Sequence, residues 1–129
     1  MQRVIATSIE TPWVFQSGTD IMSVHLEWGE LAITLMSGGD RKVAVVRFSE
    51  IIGFRFLDEG DLLEFWPACA AAQGWLFRIE ENGWFDLEAS RPGFIRSEVK
   101  GLSEYFVASQ NGCVSVLTGD LPKVEIWPI

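Results

Sequence analysis

The sequence predicts a mainly β protein, a β-rich α+β fold of antiparallel hairpins, and three observations carry that expectation. Segments rich in Val, Ile, Phe and Trp alternate apolar and polar residues with the period of two of half-buried strands. Gly- and Asn-containing turn signals recur at short spacing from one end to the other. Only residues 61–73 depart from the strand habit. Such hairpins imply a strongly curved sheet or a sandwich- or barrel-like arrangement. No repeat, low-complexity tract or Pro/Ser-rich linker divides the chain, so residues 1–129 are expected to form a single domain.

The clearest hairpin begins at Ile21, where Met22, Val24, Leu26 and Trp28 fall on one face and Ser23, His25 and Glu27 on the other. A two-residue loop at Gly29-Glu30, Gly first, suits a type II′ turn. It sets Trp28 against Leu31, Leu26 against Ile33 and Val24 against Leu35, and on the other face His25 against Thr34 and Glu27 against Ala32. Ser37-Gly38-Gly39-Asp40 breaks the chain, and Lys42–Phe48 resumes as a Val-rich strand beside the previous one. In the next strand, Ile51–Leu57, Ile52, Phe54 and Phe56 share a face, and the interior Gly53 marks a bulge or close approach.

A third hairpin is expected at Glu81-Asn82-Gly83. A two-residue Asn82-Gly83 loop would cross the apolar faces, whereas a three-residue loop pairs Ile79 with Phe85, Phe77 with Leu87 and Arg78 with Asp86. A fourth joins residues 105–109 to 113–117 through Asn111-Gly112, a type I′ signal, pairing Val107 with Val116 and Phe106 with Leu117. Residues 123–127 make a last short strand, ended by Pro128. Across 61–73, Asp61 can cap a first turn and Pro67 fits the first position of a second. The run of alanines favours helix and Gly74 can stop it, so one short broken helix is expected.

The net charge is −8, with five basic and ten acidic residues in 1–64 and five and eight in 65–129, so no acidic tail accounts for it. Such a surface repels phosphate backbones, which argues against nucleic acid and anionic membrane and for a basic protein partner. Cys69 and Cys113 suggest neither a disulfide framework nor a CxxC metal site. The start lacks an apolar leader, and the apolar run 65–72 is too short and Pro-interrupted to span a bilayer, so the cytoplasm is the expected compartment.

Catalytic chemistry finds few residues to work with. The only His, His25, lies in a strand without a nucleophile signature, and one His with distant cysteines is no zinc set. No P-loop or GxGxxG is present. Neither enzymatic activity, a metal nor a cofactor is expected. The densest acidic cluster is Asp58, Glu59, Asp61 and Glu64, next to Trp66. It fits a solvated helix start, where carboxylates complement the dipole, and it is also the leading candidate contact surface for a basic partner. Among six Trp, Trp28 and Trp75 sit on apolar faces and are expected in the core, while Trp66, Trp84 and Trp127 suit a contact surface.

The segments FRFLDEGDLLEFW (54–66) and EYFVASQNGCVSVLTGDLPKVEIW (104–127), together with the chain's size, acidity and Trp content, resemble small bacterial β-rich immunity proteins of polymorphic toxin systems. The resemblance carries over no residue assignments. It implies a non-enzymatic binder that blocks a basic toxin domain. The alternative function is a carrier of a small apolar ligand, with a Trp- and Phe-lined pocket enclosed by a curved sheet.

Overall fold

The computed structural model describes residues 2–95 and 100–129, and among these nine strands form two antiparallel sheets. The first four-stranded sheet orders β2 (Asp20–Glu27), β3 (Glu30–Ser37), β4 (Lys42–Phe48) and β9 (Lys123–Pro128). The five-stranded sheet orders β1 (Ile5–Ser8), β6 (Leu76–Glu81), β7 (Ser103–Ala108), β8 (Cys113–Thr118) and β5 (Ile51–Leu57). The mainly β expectation holds, and the sheets do not close into a barrel.

Alternation sets the layers. Leu31, Ile33 and Leu35 of β3 and Ala44, Val46 and Phe48 of β4 point inward and meet Leu76, Tyr105, Val107, Val114 and Val116 of the other sheet in one fully buried cluster. The opposite face of the four-stranded sheet is partly exposed, and Trp127 lies there in the open. The centre of the five-stranded sheet, β7 and β8, is buried on both sides. The outer face of this sheet carries Phe77, Ile79, Phe106 and Cys113, and the segment 59–73 folds over them with Leu62, Phe65 and Cys69. Phe65 stacks on Phe106 with ring centroids 4.5 Å apart. Burial on both faces makes β7 and β8 near-continuous apolar runs.

That cover is the short broken helix the sequence predicts, in three pieces: a 3-10 turn at Glu59–Asp61, α1 (Trp66–Cys69) and a 3-10 turn at Ala71–Gln73. Gly74 ends it at φ 136°, a conformation that favours glycine. The cap is Asp58 rather than Asp61: its carboxylate accepts from Gly60 N–H, and it stands in the extended conformation a cap requires.

The hairpins are corrected in three places. β2 and β3 pair, but Leu26 faces Leu31 and Val24 faces Ile33, a shift of two residues, and the turn is Trp28-Gly29. Both turn residues have positive φ (51° and 75°), the signature of type I′, whose twist matches the strands. A shift of two leaves Val24 and Leu26 on the same face, so the apolar pattern could not choose between the registers, while a bulge between Ile21 and Ser23 buries Ile21 and leaves the expected Met22 exposed. Trp28 is therefore a turn residue in solvent, not core.

The fourth hairpin shifts by two as well, with Val107 opposite Val114 and a four-residue loop, 109–112. Here Asn111 is recruited across the sandwich: its side chain accepts from Ile21 N–H (2.8 Å) and donates to Ile21 O (3.0 Å).

The third hairpin does not form: residues Trp84–Ala89 are helix α2. Both edges of β6 are already taken, by β1 and β7, so a strand after Gly83 would find no partner. Asn82, at φ 64°, turns the chain, and the first helical N–H groups, of Trp84 and Phe85, donate to the Glu104 carboxylate on β7 (3.0 and 2.7 Å). Asp86 accepts from Asn82 N–H in the manner of a capping box. In β5 the expected bulge lies between Ile51 and Gly53, so Ile51 rather than Ile52 joins Phe54 against the inner core.

Candidate functional site

The strands place two dissimilar sets of loops at opposite ends of the sandwich. At one end lie the Trp28-Gly29 turn, the turn at Ser49-Glu50 and the loop 119–122. Gly29 O accepts from Ile51 N–H, Glu50 O from Gly119 N–H, and Asp120 from the Ser49 hydroxyl (2.6 Å). Trp28 stands at the tip, 97% exposed, and Leu121 is 67% exposed. Glu27, Glu30, Glu50 and Asp120 are exposed at the same end. Against these four carboxylates stand Arg47, shared between Glu30 (3.7 Å) and Glu125 (3.3 Å), and Lys123. Trp28 and Glu50 both hold φ near 51°, and a bulky residue there costs on the order of 1 kcal/mol over Gly or Asn.

The other end is organised by Asp40, in the β3–β4 turn. Its carboxylate accepts from Gln16 N–H (2.8 Å), Ser17 N–H (2.7 Å), Trp13 Nε1 (3.0 Å) and the Ser37 hydroxyl (3.1 Å). The bond from Gln16 N–H is the largest cause of its low pKa, about 2. Lys42 Nζ lies 4.6 Å from the Trp13 ring centroid, and Trp75 Nε1 donates to Trp13 O, so the loop is pinned from three sides. Between it, the 66–75 cover and the β7–β8 loop opens a cleft of about 490 Å³. Phe15, Trp66 and Trp75 form its aromatic walls, Phe15 meeting Trp75 edge-on at 5.6 Å. The interior between the sheets is occupied by core side chains, and the cleft lies outside it.

The sequence-derived contact cluster is only partly brought together as a surface. Asp58 and Asp61 are exposed, Glu59 and Glu64 half-buried. Trp66 is half-buried: Nε1 donates to Glu59 O (2.8 Å), the ring lies edge-on to Phe106 at 5.9 Å, and the residue lines the cleft. Trp84 is half-buried, with the Arg55 guanidinium 5.5 Å from its centroid.

Sequence reasoning missed Glu104, 3% exposed, whose pKa burial pushes up to about 6 against the pull of the Phe85 and Trp84 N–H groups and Arg55. Its one signal is an acid within an apolar strand. Burial also pushes the Cys69 and Cys113 thiols up to about 12 and 11, so both are poor nucleophiles near neutrality. Among the described residues no three His, Cys, Asp or Glu side chains gather as a metal site, and no helix is long and apolar enough to cross a membrane.

Set against known proteins, the chain matches no family model, no curated sequence and no solved structure.

Proposed function

We propose that the chain is a non-enzymatic protein-binding domain that engages a basic partner through the Trp28 end, a toxin-neutralising role of the immunity-protein kind being the specific form. The observation that carries this is Trp28, a tryptophan held at positive φ on a hairpin tip and almost wholly in water, amid Glu27, Glu30, Glu50 and Asp120. An exposed aromatic supplies the anchor that dominates many interfaces, and surrounding carboxylates steer and select a cationic surface. The acidic turn around Asp58 and Asp61 offers charge without an anchor, since Trp66 is packed into the cleft wall. Buried, free Cys69 and Cys113 are in keeping with the cytoplasm as the proposed compartment.

The experiment is affinity capture from a bacterial lysate on the immobilised chain and on Trp28→Ala, with elution by salt. The purified captured protein is then rebound to both. The proposal expects one basic protein, released by salt and bound at least tenfold more weakly by Trp28→Ala. A captured protein that is acidic, or that binds both forms alike, overturns it.

A further inference from the structure

We propose that the cleft beside Trp75 is a binding site for a neutral carbohydrate of one or two sugar rings. Among the described residues its lining contains no charged side chain, although charged side chains make up 22% of the chain. Asp40 organises the adjoining loop, but its carboxylate is occupied by that loop's own donors and is not part of the lining. A charged ligand would lose its water here without an opposite charge to meet, so the site selects neutral molecules.

Two kinds of group face the cleft. Phe15, Trp66 and Trp75 offer apolar wall, and the exposed Ala71 and Ala72 belong to the same lining. Gln16 and Gln110 are fastened through their backbone N–H groups, to Asp40 and to Thr19 O, so both carboxamides remain for a ligand. The Gln110 carboxamide lies over Gly18, where a Cβ would come within 2.0 Å of its Nε2, so this close approach depends on glycine. Ser17 and Thr19 add hydroxyls. Indoles beside carboxamides and hydroxyls match a molecule with apolar C–H faces and a rim of hydroxyls, which is the chemistry of a sugar. An alkyl chain would leave the amides unmatched. A volume of about 490 Å³ lies within the range of small-molecule sites.

The site lies at the end of the sandwich away from Trp28 and is independent of partner binding there. The test is amide and indole NMR of the full chain titrated with glucose, galactose, N-acetylglucosamine, maltose and cellobiose. Glucuronate serves as the charged control and octanol as the apolar one. At least one neutral sugar is expected to shift the indole N–H signals of Trp66 and Trp75 and the Gln110 carboxamide saturably, with a Kd of about a millimolar. Glucuronate should bind at least tenfold more weakly.

Ala72→Trp, which adds an indole at an exposed position of the lining, should abolish the shifts while leaving the thermal midpoint and all Trp28 signals unchanged. Gln110→Ala should weaken binding by about tenfold. Saturation by octanol but by no sugar, shifts that persist in Ala72→Trp, or no shift by any sugar at tens of millimolar would each overturn the proposal. Trp28→Asn should leave the titration as it is, so either result stands apart from the fate of the Trp28 surface.

Discussion

The two ends of the sandwich are built on opposite plans. At the Trp28 end the turns are narrow, charged and locally strained, and an aromatic side chain is pushed into water. On β7 of the other sheet Glu104 is buried and tethers the start of α2. At the other end Asp40 sits at the surface and gathers a loop, and the aromatics line an uncharged hollow. The same residue types thus have different consequences. Tryptophan on an acidic projection suits recognition of a protein, and tryptophan in a neutral recess suits a small molecule. Backbone geometry and nearby charge decide which, not the count of aromatics.

The sharpest way to break the comparison is Trp28→Asn. Asparagine accepts positive φ more readily, so thermal unfolding should show a gain of about 1 kcal/mol, while affinity for the basic partner falls by about 2 kcal/mol. A loss of stability would mean that Trp28 packs against the fold and is not an exposed anchor.

Two carboxylates, Glu104 and Asp40, respond to pH in opposite senses. Burial raises the Glu104 pKa from 4.5 to about 6, so the folded state holds its proton more tightly than the unfolded chain. Stability should therefore fall by about 2 kcal/mol as pH rises from 4.5 through 6, then level off. Glu104→Gln should flatten that slope in denaturant titrations.

Asp40 behaves in the opposite sense. Its pKa is lowered from 3.8 to about 2, so its contribution is present above 3.8 and lost as pH falls toward 2. In that lower window the amide signals of Gln16 and Ser17 should shift, and Asp40→Asn should remove the transition.

Legibility in the sequence follows the range of each interaction. The period-two pattern shows the strands, and Pro67 and Gly74 mark the covering segment, because stops act within a few residues, although the sequence points to Asp61 as the cap and the structure uses Asp58. Register in the β2–β3 and β7–β8 hairpins is a different matter: slipping by two does not of itself change an apolar face, so turn conformation decides. Helix α2 was hidden because its stability depends on Glu104, twenty residues away, and on β1 occupying the edge of β6. The acidic cluster at 58–64 was visible, but the packing of Trp66 depends on Phe106. The cleft has no local signature at all, since it joins 14–19, 66–75 and 108–110.

A tenfold drop in association rate at low salt, with a flatter salt dependence, is expected when Glu27 and Glu50 are both changed to Lys. The same change in Asp58 and Asp61 should leave both nearly unaltered. The smallest effect concerns the cleft end: with pKa values raised to about 12 and 11, Cys69 and Cys113 should resist a disulfide-exchange reagent at pH 7 until the protein unfolds. Rapid labelling of either would mean that this end opens.

Hydrogen exchange of the backbone amides in the complex with the purified basic partner addresses the central assignment most directly. Added protection is expected at residues 27–30, 50–51 and 119–121, with the amides of 14–19 and 58–66 exchanging as in the free protein. Protection centred on 58–66, or on the cleft, with none at the Trp28 turn, would contradict it.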